Sequence, residues 1–283
     1  MPVDSFKPVG MFDSGLGGLT LVSESLRQIP GEKIIYFGDT ANAPYGDRSP
    51  AQLISFADRI VSFLVSKGVK AVVDACNSTS SVALDFLRSN YNVPFVGVIE
   101  AGAREALKAT RSGRIGVIAT KATIESGAHA AAVKSLDPSA EVFGQACPLF
   151  VPLVEAGKVN CIEARAASEK YLRPLQDEGV DTLILGCTHY PFLVPVINEI
   201  LSEDVELVDP AAETIRELKI LLQVQRNLNP GSPMGYEDHD YFVSGDPDEF
   251  KRIGQSLLGS TLGEIHREIL LNESVDPGEV VHQ

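Results

Sequence analysis

Short apolar runs alternate with stretches of helical spacing from the start of this 283-residue chain, and that alternation restricts it to an α/β fold on a mostly parallel sheet. The first apolar runs are Pro8–Phe12, Lys33–Gly38 and Val69–Ala75, separated by helical patterns at Leu19–Gln28 and Ala51–Lys67. The second helix is the best defined. Ser49 can cap it and Pro50 suits its first turn. Leu53, Ile54, Ala57, Ile60, Val61 and Leu64 share one face, and Gly68 offers a left-handed stop. A second round follows from about residue 100. It reads as helix Ala101–Thr110, strand Arg114–Ala119, helix near Glu125–Ser135, strand Glu141–Gln145, helix Ala164–Glu178 and strand Thr182–Leu185.

The second round echoes the first. Val9-Gly-Met-Phe-Asp-Ser14 corresponds to Ile115-Gly-Val-Ile-Ala-Thr120, each a strand ending in a hydroxyl residue. Ala71-Val-Val-Asp-Ala-Cys76-Asn77 corresponds to Thr182-Leu-Ile-Leu-Gly-Cys187-Thr188, each a strand ending in a cysteine. Two similar pseudo-symmetric lobes are therefore expected, one of residues 1–98 with 210–283 and the other of residues 99–209. Ligands of open α/β sheets bind beyond the carboxyl ends of the strands, so a cleft between the lobes would receive both cysteines. After Val208-Asp-Pro210, a helix over Ala211–Gln225, a polar loop and a last strand at Tyr241–Ser244 should rejoin the first lobe. The tail from Glu273, polar and acidic, reads as poorly ordered.

Composition narrows the function classes. A formal charge of −14, with Lys and Arg scattered singly, argues against nucleic acid as a partner. No apolar run approaches the roughly 20 residues of a membrane span, and no signal-like segment opens the chain, so a cytoplasmic protein that does not engage membranes is expected. The four cysteines, Cys76, Cys147, Cys161 and Cys187, show no metal-ligand spacing, and no metal is expected. An anionic substrate would have to be held by local donors against an unfavourable overall field.

Each strand-end cysteine precedes small polar residues that can open a helix, Asn77-Ser78-Thr79 and Thr188-His189. A thiol in the field of a helix N-terminus has a lowered pKa and can serve as a general base. Inverting a carbon next to a carboxylate needs a base on one face and an acid on the other, which two matched thiols on duplicated lobes supply. The plainer reading of either cysteine alone is a small buried strand-end residue. Asp13-Ser-Gly-Leu-Gly-Gly18 leaves backbone N–H groups that could meet an anion, or forms only a tight turn. Asp39, roughly 20 residues past these glycines, raises a dinucleotide reading. The missing third glycine and the charge of Asp13 beside a pyrophosphate weigh against it.

The motifs Phe12-Asp-Ser-Gly-Leu-Gly-Gly18, Phe37-Gly-Asp-Thr40, Pro44-Tyr-Gly46, Ala75-Cys-Asn77, Ile99-Glu100, Gly116-Val-Ile-Ala-Thr120, Ala146-Cys-Pro-Leu149 and Gly186-Cys-Thr-His-Tyr-Pro191 occur in order. Together they resemble the glutamate racemases of the aspartate/glutamate racemase superfamily, from about Val9 to Pro210, with a weaker match at Phe242–Pro247. The resemblance implies a two-lobed fold and conversion of L-glutamate to D-glutamate for peptidoglycan, without pyridoxal phosphate or metal. No lysine lies in these motifs to form a Schiff base, so no cofactor is expected.

By position, the resemblance makes Cys76 and Cys187 the acid/base pair. His189, beside Cys187, could tune that thiol or shuttle a proton, or serve only as packing or a helix cap, and Asp13 could assist Cys76 similarly. It matches Asp13, Ser14, Tyr45, Gly46, Asn77, Ser78, Thr188 and His189 to substrate-binding positions and Glu155 to a carboxylate near the cleft. Most of these are neutral donors. Two residues depart from the family pattern: Ser78 stands where Thr is common, and Asp74 stands where an apolar residue is usual. A buried Asp74 needs a partner or a raised pKa. An aspartate or other acidic amino-acid racemase, and a non-catalytic amino-acid-binding regulator, are the alternative readings. Oligomeric state is not encoded in these motifs, and a homodimer stays open.

Overall fold

The computed structural model describes residues 3–270, so the expected loose tail from Glu273 lies outside the described residues. Among the described residues, ten strands form two sheets. They are β1 Val9–Asp13, β2 Ile34–Gly38, β3 Ala71–Asp74, β4 Phe95–Gly97, β5 Arg114–Ala119, β6 Glu141–Ala146, β7 Thr182–Gly186, β8 Glu206–Val208, β9 Asp240–Val243 and β10 Ile265–Arg267. The larger sheet has the order β10-β9-β2-β1-β3-β4 and the smaller the order β6-β5-β7-β8. Every strand pair is parallel.

Helices cover both faces of the larger sheet, which is why its central strands read as continuous apolar runs. Met11, Tyr36 and Val73 pack on one side with Ile215 and Leu218, while Phe12, Phe37 and Val72 pack on the other with Ile60 and Leu64. The helix Pro50–Ser66 forms for the reasons its sequence suggests. The Ser49 hydroxyl accepts from the Gln52 N–H at 3.3 Å, and Gly68 takes a φ of 76° beyond the end. Burial of Leu53, Ile60, Val61 and Leu64 contributes roughly 1.5–3 kcal/mol each relative to exposure, so packing rather than propensity decides this helix.

Two expectations are revised. The helix expected near Glu125–Ser135 is two helices, Lys121–Ser126 and Ala128–Leu136, divided by Gly127 at a φ of 67°. Tyr241–Ser244 is not the last strand, because β10 pairs beyond β9; an edge strand can be short and polar and leaves little periodic signal. The short strands β4 and β8 also escaped the reading for lack of length. Among the described residues, no helix is long and apolar enough to cross a membrane.

The internal echo has a topological counterpart. Strand β1 lies beside β3 just as β5 lies beside β7, so the hydroxyl-ended and cysteine-ended strands are neighbours in both sheets.

Candidate active site

A cavity of about 110 Å³ lies where the carboxyl ends of the two sets of strands meet. Cys76, Asn77 and Ser78 line it from the end of β3, and Cys187, Thr188 and His189 from the end of β7. Ser14, Tyr45 and Gly46 complete the first wall. Both sulfurs belong to buried residues that nevertheless face the cavity.

The two thiols have different surroundings. Burial, followed by the negative field of Asp13, pushes the Cys76 thiol up. This reverses the expectation of a depressed thiol, and the helix that Cys76 opens is a single turn, Asn77–Ser80, too short to supply much dipole. No α-helix follows Cys187 directly either; Tyr190–Leu193 is one turn of 3-10 helix. Instead, Cys187 has His189, whose Nδ1 lies 3.8 Å from its sulfur and whose Nε2 lies 3.3 Å from Glu155 Oε1. Burial disfavours a charged imidazole here. The contacts with Cys187 and Glu155 and the negative field of Cys187 and Asp13 outweigh it and raise the pKa to about 10. At neutral pH the site therefore pairs a neutral Cys76 thiol with an imidazolium beside the Cys187 sulfur.

Asp13 is fully buried and sits behind the wall rather than on it. Its Oδ2 accepts from the N–H groups of Gly15 at 3.2 Å and Gly18 at 3.0 Å, and its Oδ1 accepts from the Thr188 hydroxyl at 3.3 Å. Two amides of the glycine turn are thus occupied internally, which revises the reading of this turn as an open anion cradle. The turn serves a close approach instead. A Cβ on Gly17 would lie 2.2 Å from Thr188 Oγ1 and 2.8 Å from His189 Nδ1.

Asp39 is likewise committed internally. It accepts from the Tyr45 hydroxyl, from Asn42 Nδ2 at 3.0 Å and from Ser244 Oγ at 2.6 Å, and so fixes the Pro44-Tyr45-Gly46 segment against the cavity. A carboxylate with these partners is not available to a ribose, which removes the dinucleotide reading. Asp74 gains an account too. Its Oδ1 accepts from Cys76 N–H at 3.2 Å and from Thr79 Oγ1 at 2.6 Å, and burial raises its pKa well above the carboxylate range. Burial thus favours its uncharged form, and Oδ1 braces the backbone of Cys76.

Several wall residues were not singled out by the sequence. Thr120 forms a triangle of hydroxyls with Ser78 at 3.0 Å and Thr123 at 3.0 Å, joining the ends of β3 and β5. Cys147, Val151 and Pro152 add an apolar side, and Lys121 is the one Lys or Arg on the wall among the described residues. Thr120 and Cys147 were visible as motif members, but nothing local tells a wall residue from a packed one. The lysine adds one charged group to a wall whose donors were expected to be mostly neutral.

The model of the Asp/Glu/Hydantoin racemase family matches residues 19–218. A glutamate racemase from Geobacter metallireducens is 48% identical over 93% of this chain and 96% of its own length. One from Desulforudis audaxviator is 47% identical over 89% and 93%. Among solved structures, a glutamate racemase isoform from Bacillus anthracis superposes with a TM-score of 0.89 at 37% identity, covering 95% of this chain and 98% of that one. The glutamate racemase from Francisella tularensis in complex with D-glutamate gives 0.86 at 36% identity, covering 95% and 99%. With a match over most of its length, this chain belongs to the Asp/Glu/Hydantoin racemase family.

Proposed function

We propose that this protein interconverts L- and D-glutamate by a two-thiol mechanism, with Cys76 and Cys187 acting on opposite faces of Cα. The observation that carries the reading is the placement of two cysteines at matching strand ends, β3 and β7, on one cavity. The Cys187 thiolate, with His189 as counter-charge, removes the α-proton from one face, and the electron pair of the broken C–H bond moves into the α-carboxylate. The Cys76 thiol gives its proton to the other face as the pair returns to carbon. Cys76 is then the thiolate and Cys187 the thiol, the state from which the opposite enantiomer reacts. Donors from Ser14, Asn77 and Ser78, with Tyr45, Gly46 and Thr188 beside them on the cavity wall, suit a dicarboxylate.

We take residues 1–98 with 210–283 as one lobe and 99–209 as the other, so that the reacting carbon sits at their seam. On this reading the enzyme works in the cytoplasm and its D-glutamate feeds peptidoglycan assembly. The test is circular dichroism of the purified chain with L- or D-glutamate and no added cofactor, with aspartate as the comparison. Loss of optical activity with glutamate, accompanied by solvent deuterium entering at Cα, supports the proposal. An unchanged signal, or faster turnover of aspartate, overturns it.

A further inference from the structure

Behind the cavity wall, one histidine crosses the seam between the two sheets. His129, the second residue of the helix Ala128–Leu136, is buried, and its Nε2 lies 3.1 Å from Oδ1 of Asn77. Asn77 lines the cavity beside Cys76, whereas His129 does not. Gly186, the residue before Cys187, leaves room for the ring: a Cβ there would lie 3.2 Å from His129 Nε2 and 2.9 Å from the Ile118 carbonyl oxygen. The imidazole is thus wedged between the end of β7 and the residue that follows Cys76.

We propose that His129 is a positioning residue, its Nε2–H donating to Asn77 Oδ1 so that the Asn77 amide N–H₂ is presented to the substrate. The inference rests on the proposed racemase activity and on Asn77 being a substrate contact. Three observations carry it. A carboxamide whose oxygen is held from behind has its nitrogen turned the other way, and an acidic chain with one lysine on the wall needs neutral donors for an anion. The ring is neutral at working pH, because burial lowers its pKa to about 4 and the positive end of its helix also opposes charge. A neutral ring has one N–H, and Nδ1 has no partner among the described residues. A proton on Nδ1 would leave a buried donor unmet, whereas a proton on Nε2 leaves only a lone pair unmet, the cheaper arrangement.

The tautomer is read by ¹⁵N spectroscopy of the whole chain, and the role by kinetics. We expect Nε2–H in the wild type, with its resonance shifted in Asn77→Ala. His129→Phe, which removes the donor, should raise KM for both enantiomers about tenfold while kcat changes less than about threefold, the worth of roughly one hydrogen bond. His129→Gln, which keeps an N–H donor, should recover most of the loss, and His129→Phe should cost nothing further in an Asn77→Ala background. An Nδ1–H tautomer overturns the proposal, as does an unchanged KM or an equal loss with and without Asn77. If His129→Phe does not fold, the wild-type tautomer and the Asn77→Ala shift decide. Absence of glutamate turnover in the wild type sinks the proposed function instead, and the tautomer then settles the His129–Asn77 link independently.

Discussion

His189 Nδ1 lies 3.8 Å from Cys187 Sγ, and Cys76 has no such cationic neighbour among the groups acting on its thiol. The two halves of the cavity are duplicated in fold but not in charge. One thiol sits beside an imidazolium held by Glu155, the other in a buried and negative environment. This asymmetry organises the predictions.

His189→Gln should lower kcat/KM by roughly 10- to 100-fold, the worth of a charge-assisted hydrogen bond of about 1.5–3 kcal/mol. Because L- and D-glutamate are of equal free energy, kcat/KM must fall equally in the two directions. The unequal environments can show only in how kcat and KM share the loss. Progress curves from each enantiomer measure both, and an unchanged kcat/KM would contradict the counter-charge role.

Cys76→Ala and Cys187→Ala should each reduce two-way racemisation by at least about 10²-fold, since each removes an acid/base group. The remaining thiol can still exchange the α-proton of one enantiomer with solvent, and the two variants should differ in which one. Proton NMR in deuterium oxide follows this exchange. Full racemisation by either variant would exclude the two-base mechanism.

Asp74→Asn should cost less stability than Asp74→Ala, because burial already favours the uncharged carboxyl and an amide oxygen can accept from Cys76 N–H and Thr79 Oγ1. Asp74→Ala leaves the Cys76 N–H buried and unmet, at a cost of about 1–3 kcal/mol, and leaves Thr79 Oγ1 only the Cys76 carbonyl oxygen at 3.2 Å as acceptor. Thermal denaturation separates the two, with the alanine variant several degrees lower. Equal melting temperatures would mean that Asp74 braces nothing.

Gly17→Ala should impair activity far more than its one added carbon suggests. The new Cβ would fall 2.2 Å from Thr188 Oγ1 and 2.7 Å from Thr188 Cβ, so the Thr188-His189 segment has to withdraw from the first sheet. Since about 1 Å of misplacement near a reacting centre can cost on the order of 10²-fold, kcat/KM should fall by roughly that factor. A wild-type rate in this variant would show that the close approach is dispensable.

Histidine linkage should appear in stability against pH. An unfolded histidine titrates near 6.5. His189 is raised to about 10, so its contribution is complete below about pH 6.5 and disappears as pH climbs to about 10. The melting-temperature gap between wild type and His189→Gln should therefore narrow over that window. His129 is lowered to about 4 by burial, so the unfolded chain binds more protons between about pH 6.5 and 4, and stability is lost as pH falls there. The gap between wild type and His129→Phe should accordingly shift in favour of the variant on acidification. Gaps that stay constant with pH would contradict both assignments.

Much of the architecture was legible because it is written in local periodicity. Ser49, Pro50 and Gly68 mark the ends of one helix through backbone chemistry that needs no tertiary partner. The paired strand ends at Ser14 and Thr120, and at Cys76 and Cys187, announced the duplication because each is a short pattern repeated at similar spacing. Gly127 was read through as part of a helix, since a single glycine inside a periodic stretch looks the same whether it is tolerated or breaks it. Thr120, Lys121 and His129 passed without notice as site residues because their importance lies in what they meet across the seam.

The sequence by itself determined the kind of elements, their duplication and the presence of thiols at matching strand ends, because those properties depend on neighbours within a few residues. Only the tertiary structure decided the protonation and availability of the groups around those thiols. Asp13 spends its oxygens on Gly15, Gly18 and a threonine 175 positions away, and Asp39 is held by Ser244 from 205 positions away. Cys76 is pushed up by burial, where its place before a helix suggested the reverse. Desolvation and long-range pairing set these states, and neither is a property of any short stretch of chain.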